Sequence, residues 1–282
     1  MAERSFRESP NALFGARVRS VRRVSPGFVR VTLAGAQLRG ITERGLDQRI
    51  KVLIAPGGIP APLDEPLLPE SEWRRRWREL PAAERPSLRS YTVGESRPSQ
   101  GELDIDFYLH DAAGPASAWA AASQPGDRLW VSAPRAEADA TGRHGVQWSP
   151  GAAHRFLIAG DETAFPAIRG IVASLPDPAR AEVIVEAGDV RDAGWLERSL
   201  PSRVRIAHRT SEPGGTALAR AITRWAAREA GAAARLGDGF YAWCATESRR
   251  VAGIRDALAA AGVGSDRAHT QGYWNDGPRV TP

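Results

Sequence analysis

Hydrophobic rhythm changes near the middle of this chain, and that change limits the fold more than any single residue does. Before it, apolar runs are short, rich in β-branched and aromatic residues, and broken by Gly, Pro and Ser. Phe14–Val24, Phe28–Leu33, Gln48–Ala55, Ser90–Gly94, Glu102–His110 and Arg128–Ser132 read as strands. Leu103-Asp-Ile-Asp-Phe107 alternates with period two, as a half-buried strand should. Two helices are expected among them, over Glu70–Leu80 and Pro115–Ala122. So many short strands with so few helices predict an antiparallel barrel or sandwich.

After residues 143–153, where Gly, Ser and Pro cluster, strand and helix alternate. Strands are expected over His154–Ala159, Ala181–Glu186, Val204–Ala207 and Phe240–Ala245. Phe165, Ile168, Ile171, Val172 and Leu175 mark one helix face, and helices follow over Thr216–Ala230 and Ser248–Ala261. Ala181–Glu186 is followed by a loop. This alternation predicts a parallel sheet with crossover helices. The fold class is therefore β plus α/β: an N-terminal antiparallel β-barrel over 1–148 and a C-terminal α/β nucleotide-binding domain over 149–282.

Composition narrows the chemistry. Cys244 is the only cysteine and the five histidines are scattered, so no thiolate cluster or zinc spacing is present and no metal site is expected. Redox chemistry in such a chain needs an organic cofactor. No apolar run approaches the ~18 residues of a membrane span, and Met1–Pro10 lacks a signal-peptide core, so a cytoplasmic protein is expected. The net charge is +5, carried almost wholly by arginine, with Lys51 the single lysine. The densest basic run, Trp73–Arg78, lies inside a helix, and no block of five basic residues with interleaved aromatics occurs, so no nucleic-acid partner is expected.

Three stretches carry chemistry. Arg89 and Tyr91 alternate onto one face of a strand, a guanidinium beside a ring. Gly114-Pro-Ala-Ser117 opens a short helix whose bare N–H groups and dipole suit an anion. Gly160-Asp-Glu-Thr-Ala164 turns from strand into helix where a doubly wound sheet meets its ligand, yet it is not GxGxxG. Each also has a plain structural reading: an edge strand, a capped helix, an ordinary connecting turn.

Together with Asp106–His110 and Gly272–Gly277, these stretches resemble the siderophore-interacting protein family, FAD-dependent ferric-siderophore reductases of the ferredoxin–NADP reductase superfamily. The resemblance covers nearly the whole chain. It implies Arg89 on the FAD pyrophosphate, Tyr91 and Thr92 against the isoalloxazine and ribityl, and Ser90 among the cofactor-binding residues. It implies Phe107, Leu109 and His110 lining the flavin, and Gly114, Ala116 and Ser117 at its phosphates. Asp161, Glu162, Thr163 and Ala164 match the turn facing the nicotinamide nucleotide, and Glu247 matches an acidic residue at a strand end. Arg209 could bind the 2′-phosphate of NADPH or be a solvated loop arginine. Tyr273 and Trp274 could cover the flavin or plug the core. Lys51 matches a family lysine and also reads as a strand-edge lysine. An arginine that often follows the Tyr-Thr pair is replaced by Gly94-Glu95, and basic residues near the final Gly-Tyr-Trp by Gln271 and Asn275.

The implied activity is electron transfer from NAD(P)H, or a ferredoxin-like donor, through FAD to a ferric siderophore, with no protein group as catalyst and a monomeric state. Two other readings remain: a flavin- or ferredoxin-type reductase with another acceptor, and a non-enzymatic flavin or siderophore binder.

Overall fold

The computed structural model describes residues 9–55, 57–110, 114–177, 180–200 and 204–276. The chain divides into two compact units: the first runs to Arg23 and from Phe28 to Val146, while the second takes Val24–Gly27 and continues from Gln147. Among the described residues no helix is long and apolar enough to cross a membrane.

The first unit is an antiparallel sheet built from β1 (Asn11–Arg23), β2 (Phe28–Ala34), β3 (Arg49–Ile54), β4 (Leu68–Pro69), β5 (Ser87–Thr92), β6 (Glu95–Arg97), β7 (Glu102–Tyr108) and β8 (Arg128–Pro134), with helices α1 (Glu70–Glu79) and α2 (Pro115–Ala122). The strand order is β5-β3-β8-β1-β2-β7-β6, with β4 pairing β1. Val93 and Gly94 join the two extreme strands. The Val93 N–H donates to the Gln48 carbonyl and the Gly94 N–H to the Asp104 carbonyl, which draws the sheet's two ends together. A Cβ at position 94 would lie 3.0 Å from the Asp104 carbonyl oxygen, so this close approach favours glycine.

The sheet curls around Phe14, Val31, Leu33, Val52, Ile105, Phe107 and Val131, all fully buried. Its outer face at β1, β3 and β8 is covered by α1, which drives Trp73 against Leu13, Leu53, Leu63 and Trp130. The arginines around Trp73 are neutralised by carboxylates: Arg74 pairs with Glu70, Arg75 with Glu72 and Glu79, and Arg76 with Glu65 and Glu72.

Strand β7 departs from expectation in two ways. It ends at Tyr108 rather than His110, because its partner β2 begins opposite, at Phe28. Its polar face is also buried rather than half exposed. Arg30 forks onto Asp106 at 2.6 and 2.8 Å, and Arg97 forks onto Asp104, so arginine stems and guanidinium groups cover the carboxylates in place of water.

The second unit contains β9 (Arg155–Gly160), α3 (Phe165–Ala173), β10 (Ala181–Ala187), α4 (Val190–Arg198), β11 (Val204–His208), α5 (Thr216–Arg235), β12 (Phe240–Glu247), α6 (Ser248–Ala260) and β13 (Ala268–Trp274). All strand pairs are parallel, in the order β11-β10-β9-β12-β13. The order therefore reverses between β9 and β12, and in a doubly wound sheet the ligand crevice opens past the carboxyl ends of that pair. Helices α5 and α6 share one apolar layer with Leu157, Ala159, Ile184 and Cys244. Helix α3 packs on the opposite face, where a Cβ at Gly160 would approach Ile168 at 3.4 Å. Helix α4 stands where a loop was expected, and β4, β6 and β13 were not anticipated from the sequence.

Candidate functional site

In the first unit, pairing with β3 sets Arg89 opposite Val52, Ser90 opposite Lys51 and Tyr91 opposite Ile50. The Tyr91 ring lies against Phe107, centroids 4.5 Å apart, and Phe107 lies against Trp119 at 5.6 Å. Burial pushes the Tyr91 phenol well above its ordinary range, partly offset by the Arg89 charge, so it stays protonated. Arg89 itself is exposed and donates to the Leu88 carbonyl at 3.0 Å. Among the described residues it forms no ion pair, which leaves its fork available to an anionic ligand. Ser90 points to the opposite face, where Lys51 Nζ donates to its hydroxyl at 2.6 Å. Thr92 is buried.

Helix α2 packs beside this strand; its N-cap is Gly114, which has no side chain to cap it, and Pro115 stands in its first turn. Among the described residues, a Cβ at Gly114 would meet nothing within 4 Å. Ala116 and Ser117 are buried; the Ser117 hydroxyl donates to the Tyr108 carbonyl at 3.3 Å and accepts from the His110 N–H at 3.4 Å. Their backbone N–H groups, not their side chains, are what this turn offers. Phe107 requires a correction: its ring is fully buried, so it supports Tyr91 from behind instead of lining a ligand. Leu109 packs against the core, and His110 is exposed, with Tyr108 edge-on at 4.9 Å.

In the second unit the turn after β9 is organised by Asp161, which is buried at the switch point. Its Oδ1 accepts from the Thr163 N–H at 3.0 Å and the Thr163 hydroxyl at 2.6 Å. Its Oδ2 accepts from the Thr246 hydroxyl at 2.9 Å and the Trp274 indole N–H at 2.8 Å. One carboxylate thus ties together the ends of β9, β12 and β13. Burial pushes its carboxyl up to about 6 against the pull of those hydrogen bonds, with Glu162 adding to the rise. Ala164 is buried behind the turn.

Glu162 points the other way. It accepts from the Gly188 N–H at 2.8 Å and from Arg209 at 2.6 and 2.9 Å. Arg209 also donates to Glu186 at 3.0 Å, and Glu186 accepts from the Gly215 and Leu218 N–H groups at the start of α5. Neither expectation for Arg209 therefore stands. It is not a solvated loop residue, and its charge is already matched by two buried carboxylates, so it is not poised for a 2′-phosphate. Glu247 is buried and accepts from the Arg249 N–H at 2.8 Å, capping α6.

Tyr273 and Trp274 are successive residues of β13 at a register shift, where Thr246 pairs with Gly272 and Glu247 with Trp274. Tyr273 stands edge-on to Trp243 at 6.1 Å, while the Trp274 ring lies so close to Gly214 that a Cβ there would sit 2.6 Å from it. Gly277, the last residue of the terminal motif, lies outside the described residues. Glu186 and Thr246 were missed. Each is a polar residue near the carboxyl end of an otherwise apolar parallel strand, and that position was the available signal.

Comparison with known proteins covers both units. Residues 17–138 match the family described as siderophore-interacting FAD-binding domain, and residues 153–277 match the siderophore-interacting protein family. The chain is 35% identical to the NADPH-dependent ferric-chelate reductase of Escherichia coli over 61% of this chain and 61% of that protein. It is 30% identical to the mycobactin import ATP-binding/permease protein IrtA of Mycolicibacterium smegmatis over 77% of this chain but only 23% of that protein, so it spans about a quarter of that relative. A siderophore utilization protein from T. fusca superposes with a TM-score of 0.73 and 26% identity, over 98% of this chain and 97% of the other.

Proposed function

This chain belongs to the siderophore-interacting protein family, and from that membership we propose that it reduces ferric siderophores with electrons from NAD(P)H passed through FAD. The observation that carries the reading is the unpaired Arg89 beside the uncapped start of α2, with Tyr91 on the same strand face. An exposed guanidinium and an uncapped helix N-terminus suit a dinucleotide's phosphates, and a packed phenol ring suits the edge of a flat heterocycle. These residues fit FAD. When bound, FAD supplies acceptance of a hydride pair and release of electrons one at a time, which ferric iron requires.

The chain's own contribution is binding and orientation. Arg89 and the first N–H groups of α2 hold the anionic end. Phe107 and Trp119 fix Tyr91 so that its ring presents one face. In the second unit, Asp161 and Thr246 set the shape of the crevice where a nicotinamide nucleotide would enter. Per turnover, one NAD(P)H and two ferric chelates give NAD(P)+, a proton and two ferrous ions. The cytoplasm, which holds the nicotinamide nucleotides, is the matching compartment.

The test is spectroscopic. The purified protein, loaded with FAD, should show oxidised-flavin bands that bleach with NADH or NADPH and return on adding a ferric siderophore, with Fe(II) trapped by a chromogenic chelator. Return with oxygen but not with any ferric chelate would assign a different acceptor. Bleaching by reduced ferredoxin alone would move the donor. Failure to bind FAD at all would overturn the reading.

A further inference from the structure

We propose that this chain reads its nicotinamide nucleotide as the 2′-hydroxyl form, NADH, because the carboxylates Glu162, Glu186 and Asp189 hold the two arginines that a 2′-phosphate would need. The inference rests on the proposed electron donor and assigns its class. In a doubly wound sheet the nucleotide's phosphates meet the turn after the first strand, here β9. The adenosine ribose then lies toward the end of the second strand, here β10. There an acidic residue takes the 2′-hydroxyl of NAD, or a nearby arginine takes the 2′-phosphate of NADP.

The end of β10 carries Glu186, Gly188 and Asp189, and β11 beside it ends before Arg209. Arg209 is largely buried, its side chain 19% exposed, between Glu162 at 2% and Glu186 at 0%. To reach a phosphate it would leave two buried carboxylates without a partner, one of which also caps α5. The Gly188 N–H, a natural phosphate donor, is taken by Glu162. Arg191 is exposed, but its guanidinium forks onto Asp189, whose carboxylate also caps α4 by accepting the Arg191 N–H at 2.8 Å. Any phosphate drawn to Arg191 would sit beside that carboxylate. The carboxylates Glu162, Glu186, Asp189 and Asp192 outnumber the two guanidinium groups they face, and this excess negative charge disfavours a dianionic phosphate and suits a neutral hydroxyl. Glu162, Glu186 and Asp189 are thus specificity-determining through the arginines they hold.

The experiment is calorimetric titration of the FAD-loaded protein with NAD+ and with NADP+. NAD+ should bind at least about tenfold more tightly. Asp189→Ser keeps a capping hydroxyl for α4 while freeing Arg191, and should move the ratio of the two affinities about tenfold toward NADP+. Arg209→Gln should weaken both nucleotides alike. Equal or tighter binding of NADP+ by the unaltered protein, an unchanged ratio in Asp189→Ser, loss of NADP+ alone in Arg209→Gln, or binding of neither nucleotide would each overturn the proposal. Reoxidation of chemically reduced flavin by a ferric chelate, measured in parallel, decides the siderophore-reductase reading separately.

Discussion

Arg89 and Asp161 show how opposite environments prepare side chains for opposite tasks. Arg89 is exposed and packs little, so its removal should leave the fold intact. Arg89→Ala should weaken FAD binding about tenfold or more, in keeping with loss of a charge-assisted hydrogen bond, with an unchanged thermal midpoint. Equal FAD affinity in a fluorescence titration would remove Arg89 from the phosphate site. Asp161 is enclosed, and its folded value of about 6 lies above the ordinary 3.8. The folded state therefore holds this proton more tightly than the unfolded chain does. The resulting support is complete below about pH 4 and is lost as pH rises through 6, a difference on the order of 3 kcal/mol. Urea unfolding across that window should show a flatter decline in Asp161→Asn than in the unaltered protein. An identical slope in both would mean that Asp161 is not the group responsible.

Among the elements, those with clear start and stop residues or a dense apolar run were legible, and short, sparsely buried ones were not. Helix α2 and the start of α6 fall where the sequence places them, and the strands β2, β3, β9 and β12 lie within a residue or two of expectation. Helix α4 was read as a loop because Val190–Arg198 buries only Asp192, Ala193 and Leu196 and carries Gly194 in its interior. Strand β13 lacks alternation, its residues being half-buried or exposed throughout, as befits an edge. The buried polar face of β7 was unreadable because its cover comes from arginines on β2 and β6. At the site, single residues in motifs were found, but their partners were not. Nothing near Glu162 in sequence announces Arg209 or Glu186. Gly160, in contrast, was singled out in the turn motif, and the structure gives the reason: a Cβ would overlap the Ala164 side chain and sit 3.0 Å from the Ala245 carbonyl oxygen. Gly160→Ala should cost about 1–3 kcal/mol in denaturant unfolding, the usual range for overpacking. An unchanged midpoint would show that the turn can shift.

For the molecule as a whole, the arginine excess divides into internal partners and a small remainder. Much of it is matched within each unit, as around Trp73 and over β7, yet a net charge of +5 persists. Such a charge raises encounter rates with anions and is screened by salt. Reduction of an anionic ferric chelate should therefore slow severalfold between about 20 and 200 mM salt, while a neutral chelate is reduced at a nearly constant rate. A salt-independent rate with the anionic chelate would place the charge away from the entry path.

The hydrogen bond from Trp274 to Asp161 spans 113 positions of the chain. A ribosome makes these two residues at well-separated times. Until residue 274 has been added, the switch-point carboxylate lacks one of its donors. The nucleotide turn is thus completed only by joining segments far apart in sequence, and a chain whose synthesis stops before residue 274 lacks that joint.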